Sequence, residues 1–222
     1  QGMIKPEVFV EALSARGVGL FAGVPDSLLS SLCAFLADNE DGLKHVLAAN
    51  EGNAIAMAAG FHLATGRLAA IYMQNSGLGN AVNPLTSLTD SEVYRIPLLL
   101  IIGWRGEPNV KDEPQHVKQG KITPALLDVL GIPHWILGED TDLDRTLESV
   151  FSTIAQTNAP VALVVRKNTF GEYKAKKKVA GIQSSMLREE ALSKILDLVA
   201  PKDLLVSTTG QPSRELFELR KE

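Results

Sequence analysis

Apolar residues along the chain fall into two spacings that take turns. Over 5–16, Val8, Phe9, Ala12 and Leu13 share one helical face, and Gly17 ends the run. Residues 18–22 then form a continuous apolar stretch of strand length. The succession repeats with an apolar helix at 28–36, a strand at 44–48, and an Ala-rich helix at 51–65 closed by Gly66. Residues 68–73 and 96–102 are continuous apolar runs, which mark strands covered on both faces. Further on, 122–130 reads as helix, 133–137 as strand, 142–155 as helix and 161–165 as strand. Such alternation predicts βαβ units, hence an α/β fold with an open, mostly parallel six-stranded sheet and helices on both faces.

Two connections interrupt this rhythm. Residues 74–80, Gln-Asn-Ser-Gly-Leu-Gly-Asn, read as a loop after the third strand. The charged, Pro-containing stretch 104–119 exceeds an ordinary βα connection, and long connections in compact domains often carry function. From 167 to 186 the composition turns to Lys, Gly, Ser and Gln, which reads as a linker. Beyond it the pattern predicts a helix at 187–199, a short strand at 203–207 and a helix at 211–221. About 36 residues are too few to bury a core of their own. They read as the opening βα piece of a domain cut short, with a terminal helix docking back on the main sheet as the alternative. Gln1-Gly2 resembles the remnant of a cleaved tag. The expected division is therefore 1–2 tag remnant, 3–166 main domain, 167–186 linker and 187–222 truncated second domain.

Charge and cysteine content narrow the chemistry. A formal net charge of -4 gives no basic field for nucleic acid, and an acidic small substrate would need a local cationic pocket. Cys33 is the single cysteine, so no internal disulfide or cysteine metal cluster can form, and its apolar surroundings suit a buried structural thiol. The sequence shows no signal peptide and no apolar run of the roughly 20 residues a membrane span needs, so it reads as cytoplasmic and free of membrane. His45, His62 and His134 lack partners at metal-ligand spacing and read as structural, and no metal-binding residues are assigned.

In parallel sheets ligands sit outside the carboxyl ends of the strands, which singles out the residues directly after each one. Asp26, Glu51, the 74–80 loop and the 105–116 loop all take such places. Glu51 opens a helix, where a carboxylate complements the dipole. Its Ala-rich surroundings equally suit a buried acid that donates a proton. Asp26 or Ser27 could cap the helix at 28–36. Gly77-Leu78-Gly79 is no dinucleotide fingerprint, because Val82 takes the place of the third glycine, and no phosphate-binding P-loop occurs. Arg105, Lys111 and His116 could form an anion pocket, or lie on a solvated loop of mixed charge.

These residues resemble a known family. Asn50-Glu51-Gly52-Asn53-Ala54 with Ala58-Ala59-Gly60-Phe61 and Gly66 is similar to the helix that carries the cofactor-activating glutamate in thiamine diphosphate-dependent 2-oxo acid decarboxylases. Gly23-Val24-Pro25-Asp26 and the 74–80 stretch resemble the adjoining loops of their pyrimidine-binding domain. The 105–116 segment and the tail 207–217 narrow the resemblance to the phosphonopyruvate and sulfopyruvate decarboxylase branch.

The resemblance implies that Glu51 hydrogen-bonds the cofactor's pyrimidine ring and promotes proton removal from its thiazolium carbon, with Asp26 or His116 relaying the product proton. It implies cofactor contacts from Pro25, Asn75, Ser76, Gly77 and Asn80, and substrate contacts from Asp26, Arg105, Lys111 and His116. The implied reaction converts 3-phosphonopyruvate to phosphonoacetaldehyde and carbon dioxide in phosphonate biosynthesis, with an alpha-type sulfopyruvate decarboxylase chain or a non-catalytic α/β binding module as alternatives. The implied partners are a 2-oxo acid with an anionic head group and further copies of the chain, in a homo-oligomer with sites shared between subunits. One departure stands out. The family holds diphosphate through Mg2+ on a Gly-Asp-Gly segment, which is absent here. The chain is thus expected to be inactive alone, as a piece of a longer protein or one product of a split gene, with Mg2+ and diphosphate held elsewhere.

Overall fold

The computed structural model describes residues 2–39, 42–176, 185–200, 202–208 and 210–220. The chain divides into two units, Gln1–Lys176 and Lys177–Glu222. In the first, the elements run α1 (Pro6–Ala15), β1 (Val18–Gly23), α2 (Ser30–Asp38), β2 (His45–Leu47), α3 (Glu51–Thr65), β3 (Leu68–Gln74), α4 (Leu78–Pro84), β4 (Leu99–Gly103), α5 (Val117–Val129), β5 (His134–Leu137), α6 (Leu143–Thr157) and β6 (Val161–Val165). The sheet has six strands in the order β2-β1-β3-β4-β6-β5. Every pairing is parallel.

Alternate residues of the inner strands β1, β3, β4 and β6 feed two core layers. Phe21, Tyr72, Leu99, Ile101 and Leu163 join Phe9, Leu32 and Leu147 on one face. Ile71, Met73, Leu100, Ile102 and Val164 join Ala54, Ile55, Ala58, Ala81 and Leu127 on the other. This two-sided burial, with each such side chain contributing about 1.5–3 kcal/mol, explains why β3, β4 and β6 read as unbroken apolar runs.

The structure corrects several sequence-based expectations. Residues 74–80 are not a loop: a 3-10 turn at Asn75–Gly77 leads into α4, and a π-turn follows at Leu85–Thr89. Gly and Asn lower helix propensity by up to about 1 kcal/mol each. Burial of Leu78, Ala81 and Leu85 along one helical face outweighs this. Neither Asp26 nor Ser27 caps α2, which starts at Ser30 behind Leu29 and has no side-chain cap. α5 begins five residues before the expected 122, at Val117, and continues through Pro124.

The first unit also extends past its expected end. Within the stretch read as linker, residues 167–176 belong to it. Ile4 N–H donates to Thr169 O at 2.8 Å, Gly171 N–H donates to Ile4 O at 2.9 Å, and Phe170 meets the Phe9 ring edge-on at 5.1 Å. The linker residues 177–184 lie outside the described residues.

In the second unit, α7 (Arg188–Leu198) and α8 (Gln211–Leu219) are joined by Arg188 and Glu215, whose two parallel hydrogen bonds are each 2.7 Å. The expected strand at 203–207 does not form. A strand exists through pairing, and no partner strand occurs among the described residues of this unit. Leu204 and Val206 stand exposed.

Candidate active site

Four parallel strands deliver their following residues to one edge of the sheet. After β1 comes Asp26, which is buried at 6% exposure. Its Oδ2 accepts the Leu28 N–H at 3.0 Å, while Oδ1 is buried without a partner. The carboxyl reaches over the end of β4, where a methyl group added at Gly103 would overlap Oδ2. Burial pushes its pKa above the ordinary carboxylate value, against the opposing pull of the Leu28 N–H and the Arg105 charge.

After β2, Asn50 caps α3 by accepting the Asn53 N–H at 3.0 Å, which places Glu51 in the first turn. Glu51 is half-buried, and its Oε2 accepts a hydrogen bond from Asn80 Nδ2 at 2.8 Å. Its Oε1 makes no hydrogen bond among the described residues. Gly77 makes this position possible, because any side chain there would overlap the Glu51 carboxyl. The glutamate of α3 is thus held over the start of α4 with one oxygen fixed and one open.

Asn75, after β3, is fully buried. Its Nδ2 donates to Arg105 O at 2.8 Å and Thr123 Oγ1 at 2.9 Å, its Oδ1 accepts the Arg105 N–H at 3.2 Å, and its backbone O accepts from Gln119 at 3.0 Å. The side chain ties the exits of β3 and β4 to α5, with its amide turned to the protein. Ser76, on the exposed rim, accepts from Gln74 Nε2 at 2.6 Å.

After β4, Arg105 grips Asp112 with two parallel hydrogen bonds, Nε to Oδ2 at 2.8 Å and Nη2 to Oδ1 at 2.5 Å, and Nη1 donates to Ser27 Oγ at 2.7 Å. Asp112 also accepts the N–H groups of Gly106 at 2.7 Å and Glu113 at 2.8 Å. The guanidinium, aided by these backbone donors, holds the Asp112 carboxyl well below the usual carboxylate range. A cleft of about 210 Å³ opens beside this pair, lined by Ser27, Trp104, Arg105, Lys111, Asp112 and Lys167 among others.

Of the residues named from sequence, Glu51, Gly77 and Asn80 meet in one cluster, Arg105 and Lys111 line the cleft, and Asp26 and Asn75 each interact with Arg105. Pro25 lies exposed on the rim. His116 is half-buried at the end of a 3-10 turn, and its side chain is hydrogen-bonded to neither cluster among the described residues. Sequence reading passed over Asp112, Gln119, Thr123 and Lys167. Only Asp112 had a visible signal, an acid among the cations of the 105–116 loop.

His45 Nε2 is paired with Tyr72 OH at 2.8 Å, and burial pushes the Cys33 thiol up to about 11, which leaves it unreactive. Among the described residues no group of three or more His, Cys, Asp or Glu could hold a metal ion. No helix there is long and apolar enough to cross a membrane.

Residues 6–127 match the family described as thiamine pyrophosphate enzyme, N-terminal TPP binding domain. Over 98% of its length the chain is 34% identical to a phosphonopyruvate decarboxylase of Streptomyces viridochromogenes, of which it covers 57%. It is 31% identical to sulfopyruvate decarboxylase subunit alpha of Methanococcus maripaludis, over 72% of this chain and 92% of that subunit. The chain thus spans little more than half the length of the phosphonopyruvate decarboxylases it matches. In fold it resembles benzoylformate decarboxylase from Polynucleobacter necessarius, with a TM-score of 0.56 at 18% identity, covering 88% of this chain and 36% of that one.

Proposed function

Because this chain belongs to the thiamine pyrophosphate enzymes, through their N-terminal TPP binding domain, we propose that it supplies the cofactor-activating half of a decarboxylase that converts 3-phosphonopyruvate to phosphonoacetaldehyde and carbon dioxide. The single observation carrying this reading is the Glu51 carboxyl, fixed by Asn80 at the carboxyl edge of a parallel sheet with its second oxygen open. The donor set suits the aminopyrimidine end of thiamine diphosphate: a carboxyl with one oxygen open that can exchange a proton with a ring nitrogen, beside a glycine whose missing side chain lets that carboxyl sit over the start of α4.

When bound, thiamine diphosphate supplies the nucleophilic carbon and the electron sink for loss of carbon dioxide. Glu51 holds a proton against the ring nitrogen, and Asn80 keeps the carboxyl in one orientation. Burial, which raises the Asp26 pKa, supports Asp26 as one candidate to hand a proton to the product. His116 is the second candidate for that step. Pro25, Ser76 and Gly77 would contact the cofactor's pyrimidine, and Asn75 braces the exits of β3 and β4 that carry them through its bonds to Arg105 O and Thr123 Oγ1. Arg105 and Lys111 face the anionic head, Arg105 through the two N–H bonds that Asp112 and Ser27 leave open. Mg2+ and the diphosphate are assigned to protein outside these residues, in a homo-oligomer whose subunits share sites.

Sulfopyruvate is the competing substrate, since an alpha subunit acting on it is similar over most of its own length. The test is carbon dioxide release from phosphonopyruvate by the intact protein carrying this chain, with thiamine diphosphate and Mg2+. Glu51→Gln, which keeps the shape but cannot exchange the proton, should lower kcat by about 10²–10⁴. Undiminished turnover in that variant would remove the basis of the assignment.

A further inference from the structure

Lys167 stands in the stretch whose composition reads as a linker, yet it lines the cleft beside Arg105. Sheet register explains how it gets there. Gly103 of β4 pairs with Val165 of β6, and Trp104 N–H donates to Val165 O at 2.8 Å, so residues 166–167 leave the sheet alongside 104–105. Arg166 turns to the buried Glu107, with Nε donating to Oε1 at 2.7 Å. The next residue is then left to the cleft.

A charge count follows from these contacts. Five charged side chains line the cleft: Arg105, Lys111 and Lys167, with Glu107 and Asp112. Asp112 is neutralised by Arg105, and Glu107 by Arg166 from outside the cleft. Lys111 and Lys167 make no ion pair among the described residues, so of the charged side chains that line the cleft they are the two left without a paired carboxylate, in a protein whose net charge is negative. Arg105 is mostly committed to Asp112 and Ser27, so it orients more than it neutralises. An ammonium is a compact charge with three rotatable donors, suited to a head group that presents three oxygens in any rotation.

We propose that Lys167, acting with Lys111, is a specificity-determining contact for the substrate head group, matching the double charge of a phosphonate in preference to the single charge of a sulfonate. The assignment rests on the decarboxylase reading above and adds to it the residue that chooses between the two acids.

The experiment compares kcat and KM of the intact protein for phosphonopyruvate and sulfopyruvate in the wild type, Lys167→Gln, Lys167→Arg and Lys118→Gln, the last an exposed lysine of α5 that does not line the cleft. Lys167→Gln should lose about tenfold to hundredfold in kcat/KM on phosphonopyruvate, mainly through KM, the effect of one lost charge-assisted hydrogen bond. On sulfopyruvate the loss should be smaller, Lys167→Arg should restore most of the preference, and Lys118→Gln should change neither substrate. An equal loss on both acids, or none, overturns the assignment and leaves the decarboxylase standing. If the wild type turns over neither acid, the decarboxylase reading falls first. Calorimetry then decides the cleft by itself: tighter binding of methylphosphonate than methanesulfonate that disappears in Lys167→Gln supports the contact, and equal binding refutes it.

Discussion

Two carboxylates flank Arg105 and respond to pH in opposite directions. Asp112 is held low by the guanidinium, so the stability it adds is present above its unfolded value of 3.8 and is lost as pH falls through its folded value. Asp26 is held high by burial, so the native state binds more protons than the unfolded one as pH rises past 3.8, and stability falls until the folded value is passed. Asp26→Asn retains an oxygen for the Leu28 N–H and removes the buried charge. Its melting temperature should match the wild type in acid below 3.8 and exceed it at neutral pH, as scans from pH 3 to 8 would measure. Parallel curves across that range would mean that Asp26 carries no burial cost. The mutant should also be impaired in catalysis, since a group made costly by burial is one retained for chemistry rather than for folding.

At the scale of elements, the clearest device lies where α5 meets β4. Pro124 sits inside α5, and its missing N–H leaves Gly120 O without the usual donor four residues on. Trp104 fills the vacancy, its Nε1–H donating to Gly120 O at 2.8 Å. Trp104→Phe should therefore cost about 1–3 kcal/mol, because a buried carbonyl loses its partner. In Pro124→Ala the helix regains its own donor, so Trp104→Phe in that background should cost less. A double-mutant cycle by denaturant unfolding reads the coupling, and purely additive costs would show that Trp104 and Pro124 do not share the carbonyl. Sequence reading could not see this pairing, which joins residues of different elements. It did recover α3 with its N-terminal glutamate and Gly66 stop, and β6, since a helix rich in Ala and a strand buried on both faces carry their own signals. It lost α4, where local propensity and tertiary burial disagree, and it lost Lys167, because exposed lysines near a change in composition look like linker. Glu51 was legible for its place after a strand, whereas the hydrogen bond from Asn80 depends on two helices folding side by side.

Over the whole molecule, the placement of the cleft depends on a closing strap. Residues 167–176 return across the first unit: Phe170 is 8% exposed and stacks edge-on against Phe9, Thr169 Oγ1 donates to Leu137 O at 2.9 Å, and Tyr173 OH donates to Asp38 at 3.1 Å. This strap fixes both ends of the fold, since Ile4 at the start of the chain pairs with Phe170. It also fixes Lys167 at the rim of the cationic cleft. A piece ending at 176 should therefore melt in one cooperative transition, while a piece ending at 166 loses Phe170 and its neighbours. Removing a buried Phe side chain alone costs about 3–5 kcal/mol, which lowers the melting temperature of a unit this size by roughly 10 °C or more. Circular dichroism melts of the two pieces provide the measurement, with Phe170→Ala in the longer piece as the single-residue counterpart. If the piece ending at 166 melts with the longer one, the strap adds nothing to the fold, and its sequence would have been rightly read as a linker; if it melts lower and Phe170→Ala reproduces most of the drop, the ring against Phe9 is what holds the cleft-facing end of β6 in place.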